Sequence, residues 1–393
     1  MLTQTFRDAT FLTRRLRIQY LWIDSLCILQ DSKADWETEA AKMGDYYRLS
    51  WLTIAAGMSA DGLKGCFAAR DGPSGPYCAL DMHSQRDQRP ITLYFTLDPI
   101  GPPIRGSNAE VPLDKSPLHK RGWTFQEVVL APRYLSFEPT QVYFRCDKFV
   151  ALETGRRLDV SYYYAPEGKY LLERRMWMRI VSHYTSRDLT FETDKLPALS
   201  VLAHEYQRMW NDTYYAGMWK SSLCKDLMWF LSSVGHTKPS TYRAPSWSWA
   251  SVNGPISYQS PFSRGASCVD LRHAFVKPKG TDPMGEVIFG ALILSAHVQI
   301  LSTQNGQSWE EILRPNGRGS DLYTNIMLDF RQIVDVSDIW LVYITEGEGL
   351  ALTRASTAKE TYERVGIFRK GNVEDVKQYW KENGHVRRDI WII

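Results

Sequence analysis

Apolar positions at Phe6, Ala9, Leu12 and Leu16 recur at helical spacing. The unbroken run that follows, Tyr20 to Asp24, predicts a buried strand fed by that helix. Beyond the polar stretch 30–34, Asp35 is placed to cap a second helix whose Trp36, Ala40, Met43 and Tyr47 share one face. Trp51 to Ala56 is another short apolar run. Residues 20–56 therefore read as strand, helix, strand, the right-handed crossover unit of an α/β architecture.

Further along, 57–118 is rich in Gly, Pro, Asp and Ser and predicts loops, broken by one alternating stretch at Ile91 to Leu97 that suits an edge strand or hairpin. Arg121 to Leu130 predicts a short helix stopped near Pro132, and Arg133 to Phe137 with Gln141 to Cys146 predicts two strands joined at Glu138 to Thr140. Helical spacing then dominates: Leu172, Met176, Ile180 and Tyr184, then Leu196 to Trp210 with Pro197 near its start, then Met218 to Leu231. After Pro239 the composition turns to β-formers. Candidate strands are 247–252, 273–276, 287–298, 326–329, 339–345 and 363–368, a mainly antiparallel β region. The expected organisation is an α/β domain over 1–155, a helical segment over 156–238 and a β-rich region over 239–393.

Composition narrows the class without naming a partner. The chain has 393 residues with 44% apolar content, 14 Trp and 21 Tyr, a profile of folded and not disordered protein. Lys plus Arg number 47 against 44 for Asp plus Glu, so the net charge of +3 gives no electrostatic case for nucleic acid. No run approaches the ~20 apolar residues of a membrane span, and the first residues lack a signal-peptide pattern, so a cytoplasmic location is expected. Six cysteines at 27, 66, 78, 146, 224 and 268 form no C-x-x-C pair. Cys27 and Cys146 fit buried thiols better than nucleophiles, and no metal site is expected.

Two segments set polar groups beside apolar runs and carry the candidate chemistry. Asp24 ends the first predicted strand, where ligands of open α/β sheets bind; turn formation is an equally good reason for an Asp there. Glu39 falls on the flank of the second helix's apolar stripe, where burial would raise its pKa and suit a general acid or charge stabiliser. An ordinary pair with Lys42 or Arg48 is the alternative. Arg121, Gln126 and Glu127 surround Trp123 and Phe125, a set that could bind a polar ligand with the Trp stacked on a ring, or form a structural Arg–Glu pair. The chain has no Walker A loop, G-x-G-x-x-G, G-x-S-x-G elbow or H-x-x-x-H spacing. Trp247 and Trp249 alternate with small residues and predict one strand face, as core aromatics or, less simply, a carbohydrate platform.

Leu21 to Asp31, Asp35-Trp36, Glu39, Met43, Tyr47 and Ile54-Ala-Ala56 resemble the fungal heterokaryon incompatibility (HET) domain. Arg121-Gly-Trp-Thr-Phe-Gln-Glu127, with Leu130, Arg133, Leu135, Phe137 and Tyr143 to Cys146, is similar to that family's second block. Tyr184 to Thr190, Asp194 to Pro197, Ala216 to Trp219, Tyr242 to Ser251 and Tyr362 to Phe368 look like the C-terminal extension of such proteins. The resemblance implies fungal self/non-self recognition ending in programmed cell death. It also implies a sheet like that of Toll/interleukin-1 receptor (TIR) domains, some of which cleave NAD with a helix-borne glutamate. Glu39 matches that glutamate, with Asp24, Arg121, Trp123, Gln126 and Glu127 shaping the pocket, NAD as substrate and no resident cofactor. The family's opening Ser-Tyr-x-Trp-Gly strand has no counterpart here, so an N-terminally truncated, incomplete sheet is expected. The alternative is a non-catalytic module or inactive paralogue that signals by self-association or by binding another incompatibility protein.

Overall fold

The computed structural model describes residues 2–67, 77–83, 90–96, 116–139, 141–153, 155, 157–159, 174–233, 238–258, 267–302, 324–330, 338–345, 347–356, 360–370 and 387–393. It divides into two compact units, Met1–Leu171 and Leu172–Ile393.

The first unit opens with α1 (Gln4–Arg15), then a single turn α2 (Asp24–Cys27), α3 (Lys33–Leu49) and the short strand β1 (Thr53–Ala55). A hairpin follows, β2 (Tyr77–His83) against β3 (Pro90–Thr96), where the alternating stretch 91–97 predicted a strand. Then come α4 (Thr124–Leu130), β4 (Arg133–Phe137), β5 (Val142–Cys146), β6 (Phe149–Leu152) and β7 (Arg157–Asp159). The sheet order is β1-β4-β5-β6-β7. β1 runs parallel to β4, with Thr53 opposite Tyr134 and Ala55 opposite Ser136; the other pairs are antiparallel. Ala55, Val128, Ala131, Tyr134, Tyr143, Val150 and Leu152 form the core between α4 and the sheet. The buried Arg145 guanidinium donates to the Val128 and Ala131 carbonyls, capping the C-terminal end of α4 where carbonyls lack helical partners.

Two expectations fail in the N-terminal segment. Tyr20 to Asp24 is not a buried strand: Ile23 is extended, but no strand pairs with the run among the described residues, and Tyr20 is 85% exposed. Asp24 opens α2 instead of ending a strand. Nor does Asp35 cap α3. Ser32 does, its hydroxyl accepting the Asp35 amide at 3.2 Å, while the Asp35 carboxylate accepts the Leu29 amide at 2.8 Å. Side chains of Trp36 and Ala40 lie outside the described set, as do the boundary expected at 155–156 and Leu172.

The second unit comprises α5 (Arg174–Thr185), α6 (Pro197–Trp210), β8 (Tyr214–Tyr215), β9 (Met218–Trp219), α7 (Leu223–Asp226), β10 (Trp229–Leu231), β11 (Ile256–Tyr258), β12 (Val269–Pro278), β13 (Val287–Ser302), β14 (Thr324–Leu328), β15 (Asp338–Tyr343), β16 (Glu348–Arg354), β17 (Thr361–Lys370) and β18 (Arg387–Ile392). β13, β15, β16, β17 and β18 pair in a ring that closes when β18 meets β13, a barrel with one parallel pair, β17 with β18. Ile339, Leu341, Tyr343, Ala351 and Phe368 form one of its buried clusters.

The predicted helix over 218–231 breaks into short turns and strands, and 247–252 is a 3₁₀ turn at Trp249–Ser251 in place of a strand. Hydroxyls explain the latter. Ser248 Oγ accepts the Ala250 amide and donates to the Ala216 carbonyl, and Ser251 Oγ donates to the Ser248 carbonyl, so the local backbone has side-chain partners that compete with a ladder. The Trp177 and Trp249 indoles both donate to the Gly217 carbonyl, at 2.8 and 2.9 Å. Gly217 has φ +98°, and a Cβ there would collide with Trp249. Trp247 and Trp249 are fully buried, which removes them as a carbohydrate platform.

The helical segment and the β region, separated at 238–239 in the sequence reading, interlock within this unit. Arg364 on β17 pairs with Asp329 at 2.9 Å, donates to the Leu227 carbonyl at 2.6 Å and lies 3.4 Å over the Trp229 ring.

Lys195, between α5 and α6, is 5% exposed. Loss of solvation pushes its amine down to about 7 from 10.5, and the Arg243 charge acts the same way. Below pH 7 both folded and unfolded states carry the proton and the full burial penalty applies. Between 7 and 10.5 only the unfolded state holds it, so this group makes stability rise with pH across that window. Lys195→Met should raise stability at pH 7 by roughly 1 kcal/mol or more and flatten the rise, as measured by urea midpoints from pH 7 to 10.

Candidate functional site

The first unit contains a cavity of about 700 Å³ walled by α1, residues 18–24, the end of α3, β1 and the start of α4. The α1 wall is built from Thr5, Phe6, Ala9, Thr13 and Leu16, one face at helical spacing. Asp8 holds this helix in place. Its carboxylate accepts the Cys66 amide at 2.8 Å and the Gln4 side-chain amide at 2.6 Å, and the Thr5 amide donates to the Gly62 carbonyl at 3.1 Å.

On the opposite wall α4 turns Thr124 and Glu127, three residues apart, toward the cavity. Thr124 Oγ1 donates to the Leu118 and Arg121 carbonyls at 2.9 and 2.8 Å, stitching the preceding turn to the helix start. The Tyr47 hydroxyl of α3 hydrogen-bonds Glu127. Desolvation, first, and then the Glu127 and Asp24 charges hold that phenol well above its ordinary pKa, so it stays a neutral donor. Trp22 packs on Tyr46 and Tyr47, with ring centroids 5.0 and 5.9 Å apart.

Asp24, Arg121 and Glu127, far apart in sequence, thus line one cavity. Glu39, Trp123 and Gln126 are not among its lining residues. Gln126 is fully buried, and neither amide atom has a hydrogen-bond partner among the described residues. Trp123 is half-buried at the start of α4. Glu39 pairs with Lys42 at 2.9 Å and accepts the Tyr46 hydroxyl at 2.6 Å. Contrary to the expected rise, its pKa is lowered, first by the Tyr46 hydrogen bond and then by the Lys42 one, which favours the ionised carboxylate. It reaches the cavity only through Tyr46, which lines it.

Sequence reasoning placed Tyr47 on a packing stripe and passed over Tyr46. The adjacent tyrosines on one helix were the available signal, while their bonds to Glu39 and Glu127 emerge only from the geometry. It also missed a buried polar cluster beside β4. There His119 Nε2 lies 3.1 Å from Glu138 Oε1, which also accepts Ser136 Oγ, and Ser116 Oγ donates to the Gly57 carbonyl. One carboxylate oxygen holds both His and Ser, so the trio is not the Ser–His–acid relay of a hydrolase.

Residues 1–127 match the family model for heterokaryon incompatibility protein (HET). This part of the chain is a HET domain. No curated protein and no solved structure matches the chain. The HET match ends at Glu127, so it includes every residue singled out above as a site candidate. Among the described residues no helix is long and apolar enough to cross a membrane, and no cluster of three metal-ligating side chains occurs.

Removing the Tyr46 hydroxyl takes away the main influence that lowers Glu39. Tyr46→Phe should therefore move the Glu39 titration up toward 4.5, read by carboxyl-carbon NMR, with no comparable change in a Tyr47→Phe control.

Proposed function

We propose that this HET protein acts in fungal self/non-self recognition leading to programmed cell death, in the cytoplasm, as a non-catalytic interaction module. The observation that carries this reading is the character of the cavity. Tyr20, Leu21, Leu49 and Trp51 line it yet remain 85%, 37%, 71% and 53% exposed, an apolar rim of the sort that marks interaction surfaces. Among the described residues its charged lining is three carboxylates, Asp24, Asp61 and Glu127, against the one guanidinium of Arg121. That balance opposes a dinucleotide diphosphate. Glu39, the residue matched to the TIR glutamate, stands outside the lining, and likeness to TIR domains is a fold-level analogy that carries no chemistry alone.

A second reading has one observation in its favour. The cavity volume falls within the range of ligand sites, and Asp24, Glu127 and the neutral Tyr47 donor meet there. If NAD is cleaved, the carboxylate stabilising charge at the ribosyl carbon would be Glu127 or Asp24, not Glu39.

Purified full-length chain incubated with NAD separates the two. The module reading expects no nicotinamide release and an assembly, seen by light scattering, that Leu49→Glu weakens. A strict monomer that releases nicotinamide overturns it. In that event Glu127→Gln should slow release by about 100-fold or more while Glu39→Gln stays near wild type.

A further inference from the structure

The cavity is bounded by two stretches of backbone that meet no strand on the cavity side among the described residues. β1 pairs with β4 on one edge, and no strand meets its other edge among the described residues. Across the same cavity, Tyr20, Leu21 and Trp22 make no backbone hydrogen bond to any other described segment, and Ile23 is extended at φ −135°, ψ 122°. Amide and carbonyl groups that find no partner in the fold are costly to leave dry and are the usual template for adding a strand. The side-chain lining gives the same answer. Apolar groups predominate, from Leu16, Leu21, Ile23, Ile54 and Ala56, as alternate side chains of an inserted strand require.

We infer that the trough between residues 20–23 and β1 receives one extended segment of another protein chain, apolar at alternate positions and carrying a basic residue where it passes Asp24 and Glu127. This rests on the module reading and names its partner. Backbone pairing supplies affinity, as in other strand-addition complexes, and the rim aromatics Tyr20 and Trp51 cover the strand once it is seated. The carboxylate excess of the lining sets the charge of the partner and its direction of entry. The occupant is specified as a strand, not a helix, because a helix satisfies its own backbone and leaves both open edges unpaired.

The test uses the full-length chain and a capped peptide alternating Val and Thr with one terminal Arg. Hydrogen exchange with mass spectrometry should show the amides of 20–23 and 53–55 slowed by about tenfold or more on adding it. The same peptide N-methylated at alternate residues should give no protection, and one with Glu for Arg should bind several-fold more weakly. Tyr20→Glu with Leu49→Glu, both at exposed positions, should abolish the protection while leaving exchange in β4 to β6 unchanged. Protection by the N-methylated peptide equal to that by its parent would overturn strand pairing in favour of a side-chain groove. Absence of protection at both segments, or protection elsewhere only, would sink the proposal. A chain that assembles in light scattering without such protection rejects the strand and keeps the module reading. Nicotinamide release rejects the module reading itself.

Discussion

The first unit hangs on the parallel pairing of β1 with β4. β1 is three residues long, yet among the described residues it is the strand that brings the N-terminal helices into register with the sheet carried by 133–159. Thr53 opposite Tyr134 and Ala55 opposite Ser136 fix α3 against α4, and this lets Tyr47 reach Glu127. Two further bonds secure the pairing just beyond its end, the Met58 amide to the Phe137 carbonyl at 2.8 Å and Ser116 Oγ to the Gly57 carbonyl at 2.6 Å. A Cβ at Gly57 would press on the Glu138 carboxylate, which would have to shift. One edge of β1 is therefore heavily restrained and the other faces the cavity, so a single short strand both organises the site and exposes it.

The run Arg121 to Glu127 illustrates how one segment serves two surfaces. Successive helical residues point ~100° apart, so Glu127 and Thr124 face the cavity while Phe125, Val128 and Val129 turn into the core. Gln126 lands on the core side with Phe125 and stays buried, its amide without a partner among the described residues. A linear reading sees a cluster of Arg, Gln and Glu around aromatics. The helix divides it, keeping Arg121 and Glu127 for the cavity.

This division marks what was legible in the chain. Local periodicity revealed α1, α3, α4, β4 and β5, since each depends on apolar spacing within the element. The HET blocks gave part of the cavity's polar lining, because Asp24, Tyr47, Arg121 and Glu127 all lie within matched segments. Tyr20 to Asp24 misled because an apolar run becomes a buried strand only if a neighbour pairs with it, and pairing is not encoded in the run. Likewise Trp247 and Trp249 keep the alternation of a strand while serine hydroxyls bend the backbone into a turn. Glu39 misled in a third way. Partial burial was inferred correctly from its place beside a stripe, but its protonation is governed by a tyrosine two turns along the same face, a partner identified only by geometry. β16 and β18 went unread: Glu348–Arg354 and Arg387–Ile392 become strands by closing a barrel.

In the second unit the buried guanidiniums and two of the indoles are committed to the fold. Arg364 spends its donors on Asp329 and on the carbonyls of Leu227 and Trp229. Arg243 donates to the Ala250, Val252 and Glu192 carbonyls. Two indoles share the Gly217 carbonyl. The bonds to main-chain carbonyls supply partners that a ladder would otherwise provide in these irregular stretches. Donors committed in this way have little left for a ligand. The contrast with the first unit is physical. There, carboxylates and backbone that meets no strand among the described residues face an open volume that a ligand can enter.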